Sequence, residues 1–142
     1  MGLDIVCINS SQKVGSYSRV QTIRYELLCG LKFYIEMILP TETKLIDYMV
    51  SLVEKKNSVQ YKQYSLEMER RLGKYSLDGF SAFVYHSDSD GYLTSYEAKQ
   101  FLNTWKKTNS YMEDTIRCKD GRFYLQDVFE ESIFSGENIS FC

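Results

Sequence analysis

The residue types best suited to chemistry lie in one short segment, His86-Ser87-Asp88-Ser89-Asp90-Gly91. His86 is the one histidine of the chain, and two carboxylates follow it within four positions. Because nearby negative charges favour a protonated imidazole, we expect the pKa of His86 to be raised. A protonated imidazole can donate to an anionic ligand or act as a general acid. The segment is therefore a candidate site for binding or catalysis.

The same segment fits part of a twelve-residue calcium-binding loop. With Gly91 in the sixth position, Asp88 falls third, Asp90 fifth and Glu97 twelfth, where oxygen ligands are required. Asp88, Asp90 and Glu97 are therefore the candidate metal ligands, for Ca²⁺ or Mg²⁺. His86 falls first, where calcium takes an oxygen, and imidazole is a poor substitute. The loop is one ligand short.

A structural interpretation of the segment competes with both. Glu97 stands three residues after Thr94, which is the spacing of a capping box that begins a helix and needs no ion. Asp88 and Asp90 could bond backbone amides of the turn, while Gly91 takes a positive φ. All three interpretations stay open at the level of the sequence.

A second candidate site is Gly15-Ser16-Tyr17-Ser18-Arg19, with Arg24 after it. The amino end of a helix offers free backbone amides and the positive end of its dipole, which suit an anion. The two arginines add forked donors for phosphate or carboxylate. Arg24 lies beside the apolar stripe, and a buried arginine needs a partner such as Asp4, Asp88 or Asp90. The alternative is a structural ion pair.

We expect three dispersed polar stretches to meet in one pocket. Asp4 joins them because it interrupts an apolar strand and needs a partner if its face of the strand is covered. No catalytic residue is assigned. The ligand-binding candidates are Asp4, Tyr17, Ser18, Arg19, Arg24, His86, Ser87 and Asp88.

Periodicity and turn residues predict the elements that position these residues. Residues 3–8 are rich in β-branched side chains and predict a strand, followed by a polar loop over residues 9–17. Ser18-Arg19-Val20-Gln21 has the pattern of a capping box, and helical spacing of apolar residues continues until Pro40. The amino end of this helix would carry the second candidate site.

Similar patterns predict the rest of the fold. Helices are expected over residues 45–53, over 61–72 with Gly73 as a cap, after Thr94, and from residue 123 to Gly136. Residues 138–142 predict a strand that pairs with residues 3–8. The predicted class is α+β, predominantly α-helical, with a small sheet formed by the N- and C-terminal strands.

Composition limits the class of protein. A chain of 142 residues with 44% hydrophobic content fits one domain, residues 1–142. The formal net charge of −2 and the scattered basic pairs argue against nucleic-acid binding. Four dispersed cysteines without a C-x-x-C pair argue against structural zinc and predict reduced, mostly buried thiols. Neither a membrane span nor a signal peptide is indicated, so the expected location is the cytoplasm.

Three stretches together resemble a family of small, uncharacterised phage and bacterial proteins. The opening Met1-Gly2-Leu3-Asp4, the Gly15-Ser16-Tyr17-Ser18 stretch followed by Arg24, and the segment from His86 to Gly91 occur in the family's order. Ser89 stands where the family pattern has cysteine, which argues against a role needing a thiol there. The family has no assigned activity, so the resemblance implies a site and not a reaction.

These observations support three functional hypotheses. The first is a protein that binds a small phosphate-bearing molecule; in a phage, it could sequester a nucleotide signal. The second is a hydrolase in which His86 acts as acid or base and Asp88 and Asp90 hold a divalent ion. The third is an interaction protein with an aromatic-rich surface and a purely structural turn.

Overall fold

The structure, a computed structural model, describes residues 2–38, 44, 47, 66–67, 69–84 and 91–141, with residues 2, 3 and 16–18 described by their backbone alone. The strands in these ranges are β1 (Gly2–Cys7), β2 (Ser10–Ser16), β3 (Tyr92–Leu93) and β4 (Ile139–Phe141). The helices are α1 (Tyr17–Ile38), α2 (Ser81–Val84), α3 (Ser95–Thr108) and α4 (Gln126–Ser135). Residues 66–67 and 69–72 are also helical, and 3₁₀ turns lie at Gly73–Tyr75 and Asn109–Tyr111. The predicted helix-dominated α+β class is confirmed.

The described strands form one antiparallel sheet in the order β2-β1-β4-β3. The predicted pairing of the two chain ends is confirmed, since Ile5 lies opposite Phe141 and Val6 opposite Ser140. Apolar and polar residues alternate in β4, where Ile139 and Phe141 are buried and Ser140 is exposed. This alternation explains the register, because a slip by one residue would expose the apolar pair.

One face of the sheet is covered by helices. Ile5, Cys7 and Val14 on this face are buried in the same core as the apolar stripe of α1. An aromatic cluster fills the rest of the core: the Phe101 ring lies 4.7 Å from Phe129 and 4.8 Å from Phe123. Such tilted ring pairs add to the burial energy of their large apolar surfaces. The sheet, α1 and the aromatic cluster thus share one hydrophobic core.

Two local predictions near the first helix are wrong. Residues 10–16 form β2 and not a loop, because their backbone pairs with β1 and Val14 is buried in the core. The strand is polar since its other side chains lie at an edge of the sheet. Helix α1 begins at Tyr17, directly after this strand, so Ser18 lies inside the first turn and is not the N-cap.

The cap predicted at Gly73 is also wrong. The helical residues 69–72 continue into the 3₁₀ turn, and Ser76 takes the left-handed conformation with φ of 55°. The caps at Thr94 and Gly136 are confirmed, the latter with φ of 77°. The predicted helix over residues 45–53, most of that over 61–72, and Pro40 lie outside the described residues.

The cysteines are less uniformly buried than expected. Cys7 is buried and Cys29 half-buried, whereas Cys118 is exposed, and all three are free thiols. Burial raises the pKa of both the Cys7 and Cys29 thiols above the ordinary value. Among the described helices, none combines the length and apolar character needed to cross a bilayer.

Candidate functional site

The sheet topology places the amino ends of β1 and α1, together with Gly91, at one end of the sheet. Gly2 at the start of β1 pairs with Ser16 at the end of β2, so α1 begins at this end. In β4, residue 141 is nearer to this end than residue 139, since Ile5 pairs with Phe141 and Val6 with Ser140. With strands about 4.8 Å apart, β2 and β3 are separated by about 14 Å across this end.

The polar segment between α2 and β3 is attached at the same end. The backbone carbonyl of Gly91 accepts a hydrogen bond of 3.3 Å from the Phe141 amide. The ring of Phe83 in α2 lies 6.1 Å from the Phe141 ring. The chain therefore enters and leaves residues 85–90 beside Phe141. Gly91 has φ of 123°, a conformation that favours glycine and agrees with the predicted turn.

Asp4 lies at this end but on the other face of the sheet. Side chains along β1 alternate between the two faces of the sheet. Ile5 and Cys7 are buried on one face, whereas Asp4 and Val6 are half-buried on the other. Lys13 is the cross-strand partner of Asp4. Opposite charges paired in this way stabilise a sheet modestly. The structure thus separates Asp4 from the helix-covered face.

Arg24 points into the helix-covered face, as its spacing predicts. It shares this side of α1 with Val20 and Leu27, and only 7% of its surface is exposed. A buried guanidinium keeps its charge at high cost unless anionic or polar groups surround it. Side chains in a helix tend to lean towards its amino end, so we expect the Arg24 guanidinium to lie nearer to the first turn of α1 than its Cα does.

Arg19 links the first turn of α1 to the segment before α4. Its Nη2 donates to the Thr115 carbonyl over 2.8 Å, and its guanidinium carbon lies 5.9 Å from the centre of the Tyr124 ring. The Thr115 hydroxyl in turn donates to Glu26 Oε2 over 2.8 Å. These contacts hold the amino end of α1 in place, so Arg19 has a structural duty beside any role in binding.

Tyr124 and Gln12 extend this polar region and were not predicted. The Gln12 Nε2 donates to the Tyr124 carbonyl over 3.1 Å. Two of their buried atoms, Gln12 Oε1 and Tyr124 Oη, have no hydrogen-bond partner within the described part of the chain. Burial raises the pKa of the Tyr124 phenol to about 12, so the hydroxyl stays protonated at neutral pH. Such atoms are candidates to bond a ligand.

Nothing in the sequence around Gln12 or Tyr124 could have identified them. Gln12 lies in a stretch that reads as a polar loop, and Tyr124 is one of twelve tyrosines. Their approach to the first helix depends on a contact more than 100 residues apart along the chain. Only tertiary structure reveals such a pair.

Glu97 caps helix α3. Its Oε1 accepts from the Thr94 amide over 3.0 Å and from the Thr94 hydroxyl over 3.1 Å, while its own amide donates to Thr94 Oγ1. The capping box predicted here is confirmed. A calcium loop would take both carboxylate oxygens of Glu97. The one-turn helix α2 before the loop also departs from the usual helix–loop–helix arrangement.

Several predicted site residues cannot be placed. His86, Ser87, Asp88 and Asp90 lie outside the described residues, and Tyr17 and Ser18 are placed by their backbone alone. Within the described part of the chain, no group of three or more His, Cys, Asp and Glu side chains could hold a metal ion. Asp88 and Asp90 lie outside this part of the chain, so the metal site stays a prediction.

Comparisons with protein-family models, with curated proteins and with solved structures found no match to this chain. The resemblance to small phage and bacterial proteins therefore stays a prediction.

Proposed function

We propose that the protein binds a small phosphate-bearing molecule at the end of the sheet where α1 begins. One observation carries the proposal: the topology gathers the amino end of α1 and the attachment points of residues 85–90 at that end. A separation of about 14 Å suits a molecule such as a nucleotide, which is longer than a single phosphate. In this proposal the amides and cations of α1 would face one side of the ligand, and His86 with the acidic turn would face the other.

The proposed ligand would be held by groups of different kinds. The backbone amides of the first turn of α1 would receive a phosphate, because the helix dipole favours negative charge there. Arg24 would supply positive charge from within the core. The Tyr124 hydroxyl and the Gln12 carbonyl oxygen would bond polar atoms of the ligand. His86 would donate to an anionic group from the opposite side. Asp4, on the other face, is left out of the pocket.

The test is a thermal-shift screen with nucleotides, followed by calorimetry of any ligand that responds. A ligand present at one hundred times its Kd stabilises the folded state by about 2.7 kcal/mol, which for a chain of this size raises Tm by roughly 5 to 10 °C. We expect His86→Ala and Tyr124→Phe to weaken binding. Arg122→Gln, a change in an exposed arginine bound to Asp127 and Glu130, is the control.

Three results would contradict the proposal. One is the absence of any shift over the whole panel, which would favour an interaction protein. Another is binding that His86→Ala leaves unchanged, since the site would then lie elsewhere. The third is turnover that depends on Mg²⁺ and on Asp88, which would assign the site to the metal-dependent hydrolase instead.

A further inference from the structure

A second cationic surface lies far along the chain from the proposed pocket. The basic pairs Arg70-Arg71 and Lys106-Lys107 are separated by more than thirty residues, but the fold brings them towards each other. Lys107 Nζ donates to the Ser76 carbonyl over 3.2 Å, just after the 3₁₀ turn that follows the arginines. Lys74 lies in that turn. The fold therefore brings Lys107 next to the turn that follows Arg70 and Arg71.

A cleft of about 230 Å³ opens among these residues. The described residues that line it are Arg70, Arg71, Lys74 and Tyr75. Among the described carboxylates, that of Glu67 is bound to the two arginines. Arg70, Arg71, Lys74 and Glu67 together carry a net charge of +2. The Asp78 carboxylate lines a neighbouring cavity and lies 3.7 Å from the position that a Cβ on Gly73 would take, while Glu69 accepts from Ser81. The cleft is therefore suited to an anion with more than one negative charge.

Glu67 holds the two guanidinium groups side by side. Its Oε1 lies 2.8 Å from Arg70 Nη2 and 2.7 Å from Arg71 Nε, and its Oε2 lies 3.3 Å from Arg70 Nε. A guanidinium has five N–H groups, and these bonds use two from Arg70 and one from Arg71. Donors therefore remain on both arginines, in a fork geometry that matches phosphate oxygens.

Capping of the preceding helix does not account for this arrangement. Cations near the carboxyl end of a helix often bond its last carbonyls. Here it is Lys107 that bonds a backbone carbonyl, that of Ser76. Arg70 and Arg71 instead bond the Glu67 carboxylate. The side chain of Arg70 is 71% exposed and that of Arg71 is 50% exposed, so a ligand can reach them.

We propose that the cleft formed by Arg70, Arg71 and Lys74 binds the oligophosphate group of a small molecule, at a site separate from the pocket beside α1. Two guanidinium forks and an ammonium group can contact several phosphate oxygens at once. The ring of Tyr75 lines the cleft and offers an apolar surface to whatever carries the phosphates. Inorganic tripolyphosphate contains the required chemistry without a nucleoside and is the appropriate probe.

The test is calorimetry of the full chain with tripolyphosphate at low ionic strength. We expect Arg70→Gln/Arg71→Gln to weaken binding at least about tenfold, because charge-assisted hydrogen bonds to two guanidinium groups are lost. The variant Arg70→Lys/Arg71→Lys should bind with intermediate affinity, since it keeps the charge and loses the forks. Arg122→Gln should bind as the wild type does. Circular dichroism checks that each variant is folded.

Four outcomes would overturn this proposal. Tripolyphosphate could fail to bind, or it could bind equally well to Arg70→Gln/Arg71→Gln. Sulfate at the same ionic strength could bind as strongly, which would indicate nonspecific screening. A single-stranded oligonucleotide could bind more tightly than tripolyphosphate, which would assign the surface to nucleic acid. His86→Ala should leave tripolyphosphate binding at this cleft unchanged. A failure of the cleft proposal can therefore be distinguished from a failure of the proposed pocket beside α1.

Discussion

The capping box of α3 offers a sharp test of what Glu97 does. Thr94→Ala removes the hydroxyl that accepts from the Glu97 amide over 3.1 Å and donates to its carboxylate over 3.1 Å. Loss of an N-cap of this kind costs about 1 to 2 kcal/mol. For a chain of 142 residues this lowers Tm by roughly 3 to 6 °C.

Glu97→Gln separates capping from metal binding. Glutamine keeps a carbonyl oxygen that can accept from the Thr94 amide, so it can still complete a capping box. The variant loses one charge near the helix dipole, which costs about 0.5 kcal/mol. If Glu97 were a calcium ligand, replacing its carboxylate with an amide would severely weaken calcium binding. We therefore expect Glu97→Gln to be much milder than Thr94→Ala, in the absence and in the presence of Ca²⁺.

The assay is urea unfolding followed by the fluorescence of Trp105, which packs 3% exposed in the core. Wild type, Thr94→Ala and Glu97→Gln are compared in chelator and in millimolar Ca²⁺. Lys99→Gln, exposed on the same helix, is the control and should change stability by less than about 0.5 kcal/mol. A purely capping role for Glu97 is refuted if Ca²⁺ stabilises the wild type but not Glu97→Gln, or if Glu97→Gln costs as much stability as Thr94→Ala.

Two further predictions concern packing and pH. A Cβ at Gly79 would meet the Gln100 carbonyl oxygen at 2.0 Å, so Gly79→Ala should lower the free energy of urea unfolding by about 3 kcal/mol. A Cβ at Gly136 would meet nothing within 4 Å, but the positive φ there should make Gly136→Ala cost about 1 kcal/mol. Equal costs of the two variants would contradict this prediction. Because the folded pKa of Tyr124 is raised to about 12, its stabilising contribution is fully present below pH 10 and is lost between pH 10 and 12. Tyr124→Phe should make stability fall less over this window, and a parallel fall would contradict it.

Much of the fold could be predicted because its determinants are local. The stripe of apolar residues in α1 and the Thr94–Glu97 cap depend on spacings of three and four residues. The terminal strands could be paired because both alternate apolar and polar side chains. Strand β2 was missed since its polar side chains resemble those of a loop, and only pairing with β1 gives them a strand conformation.

The sequence by itself determined which side chains could bind a ligand or act as acid or base. It also determined where α1 and α3 lie along the chain and that the two chain ends pair. Tertiary structure alone decided that Asp4 faces away from Arg24 and that Tyr124 and Gln12 lie beside the first helix. It also decided that Lys107 bonds the turn after Arg70 and Arg71. The physical reason is that these relations depend on strand order and on contacts between distant segments. Periodicity in a linear chain records which face of an element is buried, but not which other element covers it.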